Sequence, residues 1–227
     1  MERVRAPWRG FLLWLLFVPA ALPASLFSTS LSLITFGLGL FLLPYATLCM
    51  RRMTNVYRDR IGKWTGHHIE RPYLPEPDTP DNTDSPVWMR RFARFIVEPA
   101  TWRDWAFISI DPFVALFTAA LPFVLILYGF WGWMLSLWAG DLITSHGGNE
   151  WYAFIHVTEG YADSPWSVAG TAVLGTVFAA IGFLIGPKML DVYGNYAASL
   201  LGPTEKAKLA LRVRHLAESR ADAVDAS

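Results

Sequence analysis

The chain has 227 residues, no net formal charge and 53% hydrophobic content, including 11 tryptophans. A mean hydropathy of +0.31 excludes an ordinary soluble domain of this size, and the neutral balance argues against a nucleic-acid or acidic partner. The single cysteine, Cys49, excludes an intramolecular disulfide; at the end of an apolar run it reads as a packing residue rather than a redox centre.

Arg3, Arg5 and Arg9 precede an apolar run that begins at Phe11 and lasts to Met50. A secretory signal opens in the same way, but no clean Ala-x-Ala site lies near 20–25 and the run is far too long, so it reads as a retained anchor. Roughly 40 apolar residues are about twice what one crossing needs. Ser28-Thr29-Ser30, with Pro19 and Pro23 upstream, offers a place to reverse, which predicts a hairpin of two spanning helices over 10–27 and 31–50.

Arg51-Arg52 ends that hairpin in this reading. Met53, Val56, Tyr57, Ile61 and Trp64 then recur on one helical face, predicting an amphipathic helix on the membrane surface. Gly66 to Ser85 carries Pro72, Pro75, Pro77 and Pro80 among acidic residues and predicts an extended linker, with His67-His68 exposed at its start. Over Pro86 to Val97, Trp88, Phe92, Phe95 and Ile96 share a face while Arg90, Arg91 and Arg94 are placed for lipid phosphates, predicting a second surface helix.

Thr101-Trp102-Arg103-Asp104 has the form of a capping box and marks a helix start after Pro99. From Phe107 to Trp138 the chain is apolar except for Asp111, and Pro112 and Pro122 allow a kink or tilt, so the crossing falls at about 113–134. Asp111 reads as an interfacial carboxylate, with a functional intramembrane acid as the alternative.

Residues 139–166 form a polar loop with no Lys or Arg, in which Trp151 to Thr158 reads as a short strand or an interface-hugging segment. His146, Glu150, His156 and Glu159 make this loop, together with Asp111, the candidate place for sensing protons or a metal. Their spacing is no metal-ligand signature, and neither a resident metal nor a cofactor is assigned. Ser164-Pro165 starts the last helix, which crosses at about 167–186. On it Gly175 and Ala179, then Gly182 and Gly186, are small pairs four apart, the pattern that lets helices approach closely in lipid; this face is also where two packings of nearly equal energy are expected.

The Lys and Arg residues lie in the N-terminus, in 51–106 and after Lys188, and are absent from the short turn near Ser28 and from 139–166. The positive-inside rule therefore predicts a multi-pass cell-membrane protein with both termini cytoplasmic, 51–106 cytoplasmic and 139–166 external. The expected fold is an all-α membrane protein: four transmembrane helices as two hairpins, amphipathic cytoplasmic surface helices, and a C-terminal stalk. The membrane domain is 1–200 and the stalk 201–227. In that stalk Leu209, Val213, Leu216 and Ala223 fall at heptad-seam spacings with charges on the flanks, making them candidates for signal relay; about two heptads are too few to hold a coiled coil alone.

The run from Leu201 to Ala226, and within it Arg212-Val213-Arg214-His215-Leu216-Ala217-Glu218-Ser219-Arg220-Ala221-Asp222-Ala223-Val224-Asp225-Ala226, resembles a known junction. It is similar to the segment that joins the "putative sensor" membrane domain to the phosphoacceptor domain in actinobacterial-type sensor histidine kinases. The resemblance implies a signal-input domain of a two-component system, a homodimer through the stalk, a cytoplasmic kinase core outside these residues and a response regulator downstream. It implies no catalytic group in this chain. His215 is followed by Leu216 rather than an acid, so it departs from the acceptor pattern and reads as a stalk surface residue. No phosphate-binding glycine loop, nucleophile elbow or HExxH helix is present. A stand-alone membrane accessory protein, docking a transporter through the tail, is the alternative; a lipid-modifying enzyme is weaker because no paired carboxylates or nucleophile–base set lie on one side.

Overall fold

The structure is a computed structural model that describes residues 2–73, 92–93, 95–205, 207–209 and 212–213. It is almost wholly helical. Helices α1 (Glu2–Leu15) and α2 (Phe17–Ser32) follow each other through Leu16, a 3-10 turn covers Leu33–Phe36, and α3 spans Leu38–Thr65. A second long stretch comprises α4 (Pro99–Ala115), α5 (Leu121–Met134) and α6 (Gly140–Ser145), joined by π-helical segments at Leu116–Ala120 and Leu135–Ala139. Strands β1 (Glu150–Tyr152) and β2 (Ile155–Val157) pair antiparallel, with Trp151 opposite His156, and α7 runs from Pro165 to Leu201.

Two compact units result: residues 1–14 with 113–193, and residues 15–112 with 194–227. Among the described residues three stretches are long and apolar enough to cross a bilayer, Val4–Phe36, Pro99–Ser145 and Pro165–Leu201. Helix α3 is not one of them, because its apolar first half gives way at Arg51-Arg52 to charged residues.

The first reversal lies at Gly37 instead of Ser28 to Ser30. The hydroxyls of Ser28, Ser30 and Ser32 each donate to the carbonyl four residues back, at 3.0, 2.7 and 3.1 Å, so these polar residues stay inside α2. Gly37 adopts φ +77°, a left-handed conformation that costs glycine nothing, and its N–H closes the 3-10 turn on Ile34. Helix α3 then packs along α2.

Arg51-Arg52 does not end the helix either. It continues to Thr65 and stops at Gly66, φ +78°. Tyr57 and Ile61 are fully buried in the second unit, so the half expected to lie on a membrane surface is part of a protein core. The expected linker is also partly packed: Ile69 is buried, and Gly194 of α7 approaches His67 so closely that an added Cβ would lie 2.8 Å from its ring. Residues 74–85, and Trp88, Arg90, Arg91 and Arg94 of the second expected surface helix, lie outside the described residues. Cys49 is exposed, not packed. Pro122 can supply no N–H to residue 118, and the helix loosens into π turns just ahead of it.

Candidate functional site

In the first unit the hairpin β1–β2 is held by the helices beside it. A two-stranded hairpin is marginal in water, but here Tyr152 and Val157 are completely buried with Tyr161 against Leu135 and Ala139. The Tyr152 ring stacks on Tyr128 with centroids 4.6 Å apart and meets Phe178 edge-on. Its hydroxyl donates to the Tyr128 carbonyl at 3.0 Å, while the Tyr128 hydroxyl accepts the Ala153 N–H at 2.8 Å. Gly132 makes room: a Cβ there would sit 2.4 Å from the Tyr152 oxygen. Burial, with Tyr128 adding to it, pushes the Tyr152 phenol up to about 12.

The expected sensing residues do not converge. The Glu150 carboxylate accepts the Trp131 indole N–H at 2.8 Å, and His156 stacks flat on Trp151 at 4.4 Å. His146 is exposed, with Nδ1 2.9 Å from the Leu142 carbonyl. Glu159 is exposed on a surface concavity shared with Trp138 and Asp141. Among the described residues no group of three or more His, Cys, Asp or Glu could hold a metal ion.

The small residues of α7 lie against α5 and α1. A Cβ on Gly175 would be 2.6 Å from the Gly129 carbonyl, and one on Gly182 2.5 Å from the Pro122 carbonyl. Ala179 faces Gly129, and Gly186 faces the Pro7 ring. At such approach Gly175 and Gly182 have no room for even a methyl group.

The second unit contains a charged node that joins α3, α4 and the end of α7. Arg58 and Asp104 form an ion pair of 2.6 Å with both side chains 1% exposed. The guanidinium also donates from Nε and Nη2 to the Leu201 carbonyl, at 3.2 and 3.1 Å, and from Nη1 to Thr54, Asn55 and Tyr73. The second Asp104 oxygen accepts from Thr54 at 3.2 Å and from the Tyr73 hydroxyl. Burial and the Asp104 charge hold the Tyr73 phenol up at about 12, against the opposing pull of Arg58. Beside it, Arg51 bonds Glu98 at 2.6 Å and Thr101 at 2.9 Å, and lies over the rings of Tyr73 and Phe95.

This arrangement explains how α7 ends. The last carbonyls of a helix have no partner within it and carry partial negative charge. Here Ser199 O accepts from Arg103 of α4, Leu201 O accepts from Arg58 of α3, and the Gly202 N–H returns to Ala198 O. Two arginines from two other helices thus cap the point where the chain passes into Gly202-Pro203 and the tail.

One expectation changes here. Thr101 and Asp104 do not form a capping box: the helix already starts at Pro99, Thr101 accepts from Arg51, and Asp104 neutralises Arg58. Asp111 is fully buried, with the phenols of Tyr57 and Tyr196 beside it. Leu209 and Val213 are exposed, and Leu216 and Ala223 lie outside the described residues. The node was missed, although a signal existed. Thr54, Tyr57, Arg58 and Ile61 share one buried stripe of α3, and Asp104 and Asp111 stand seven apart on α4 with Phe107 and Ile108 between them. Charges placed inside apolar stripes call for partners on facing helices.

Three membrane-length helical stretches, a docked hairpin and a buried charge node define a helical membrane protein. The chain belongs to the family described as "Putative sensor", whose model matches residues 5–201 and therefore ends at the residue whose carbonyl Arg58 holds. Comparison with curated proteins and with solved structures gave no match.

Proposed function

We propose that this chain is the membrane signal-input domain of a two-component sensor histidine kinase with both termini cytoplasmic, an arrangement that needs an even number of crossings and so takes the shorter apolar first half of α3 as the fourth, and with a stalk that pairs two copies. The observation that carries this reading is the end of α7. One helix runs from Pro165 to Leu201, its final carbonyls are held by arginines of α3 and α4, and it passes at once into the tail segment that resembles a kinase linker. Family membership as a sensor domain supports the input role.

In this reading a signal favours one of two arrangements of the membrane helices by binding or contacting it better. The small-residue face of α7 supplies a contact that can shift, and the arginines deliver the shift to the stalk, where Leu209, Val213, Leu216 and Ala223 would carry it on. Kinase core and response regulator are the partners. Reading the coding sequence past codon 227 tests the proposal. Continuation into a helix with a His-acid pair and then an ATP-binding domain is expected; a stop codon directly after Ser227 contradicts it.

A further inference from the structure

The hairpin between α6 and α7 has two unlike faces. Its inner side is fixed by Tyr152 and Val157, as described. Its outer side carries Trp151 at 63% and Phe154 at 76% exposure. Large apolar rings presented this way mark a contact surface. The backbone at the tip supports that view. Ala153 holds φ +52°, an unfavourable conformation for a residue with a Cβ, and its N–H is tied to the Tyr128 hydroxyl. That bond fixes the turn that carries Phe154, while stacking on His156 fixes Trp151.

Position and charge identify the partner. The hairpin connects the end of one membrane-length stretch, at Ser145, with the start of another, at Pro165. It therefore stands at the level of the bilayer surface, where aromatic rings partition between headgroups and acyl chains. Exposed Trp138 and Trp166, at the ends of the same two stretches, belong to that level too. Residues 139–164 contain no Lys or Arg but carry Asp141, Glu150, Glu159 and Asp163, so nothing there grips an anionic headgroup.

We infer that Trp151 and Phe154 seat in the headgroup–acyl boundary of a zwitterionic bilayer, making the lipid surface the partner of this hairpin. A change in lipid packing then reaches α5 and α7 through Tyr152, Tyr128 and Phe178. The inference rests on the reading of the chain as a membrane input domain but needs no kinase output.

The test is spin-label depth measurement on the full chain in phosphatidylcholine nanodiscs, in a Cys49→Ser background. Labels are placed by Phe154→Cys, by Asn149→Cys as an exposed loop control, and by Leu127→Cys on the exposed side of α5 as a control for membrane insertion. Expected at Phe154 is a ratio of oxygen to nickel-chelate accessibility several-fold above that at Asn149, unchanged by adding phosphatidylglycerol or salt. A ratio equal to that of Asn149, shielding from both reagents, or seating only when anionic lipid is present overturns the inference. Nickel access at Leu127 as well would instead overturn the membrane reading itself.

Discussion

Removing Asp104 leaves the Arg58 guanidinium buried without a counter-charge. The two side chains are each 1% exposed and 2.6 Å apart, and Thr54 and Tyr73 lose their shared acceptor in the same step. Breaking one side of such a pair costs about 3–5 kcal/mol, against about 0–1 kcal/mol for a solvent-exposed pair. For a chain of this length that corresponds to a fall in Tm of roughly 6–20 °C. Asp104→Leu, Arg58→Met and the double variant Arg58→Met/Asp104→Leu form a cycle that separates the charge from the packing. Both single variants are expected to lose stability in that range when unfolding in detergent is followed by tryptophan fluorescence. The double variant should recover most of the loss, short of about 1 kcal/mol for the uncapped Leu201 carbonyl. A cost below about 1 kcal/mol for Asp104→Leu, or a double variant no more stable than the singles, refutes the buried node.

Gly132→Ala places a methyl 2.4 Å from the Tyr152 oxygen, and amide exchange over Trp151 to Val157 is expected to rise about tenfold or more, equivalent to ~1.4 kcal/mol. Unchanged exchange would mean that the hairpin is not docked through Tyr152. Gly37→Ala meets no atom within 4 Å but forces a Cβ into φ +77°, so a loss of about 1 kcal/mol from backbone strain alone is expected, with Gly37→Asn milder. Tyr73 titrates at about 12 in the folded chain against 10.0 as its ordinary value. Because the folded value is the higher, its contribution is complete below pH 10 and is lost as pH rises towards 12; Tyr73→Phe should flatten this alkaline loss in a stability–pH profile.

The long apolar stretches were legible because twenty or so apolar residues have few other uses. The positions of turns were not. Ser28-Thr29-Ser30 looks like a polar break, but the Ser28 and Ser30 hydroxyls return their bonds to their own helix, whereas Gly37 sits unremarked in an apolar run. Arg51-Arg52 looks like the end of a helix, yet Arg51 finds Glu98 across the chain and the helix continues. The β-branched and aromatic content that suggested a short strand at Trp151 fits the observed hairpin, but its meaning depends on Tyr128, more than twenty residues earlier. Asp104 was absorbed into a local motif with Thr101, since sequence alone offers the near partner before Arg58, 46 residues away. Charges satisfied at long range are the least legible feature, and here they form the junction between membrane helices and tail.

The most direct measurement is autophosphorylation of a fusion of residues 1–227 to a histidine-kinase core in nanodiscs. Arg103→Ala removes the hold on Ser199 and Arg58→Lys replaces the fork on Leu201, whereas Arg60→Ala alters an exposed side chain of the same helix α3 whose guanidinium lies over the Trp64 ring. If the arginines transmit movement to the stalk, the first two variants shift the rate by about fivefold or more, the scale of a coupling energy of 1 kcal/mol upward, and the third leaves it unchanged. Equal rates in all three folded fusions contradict the clamp as the route of output.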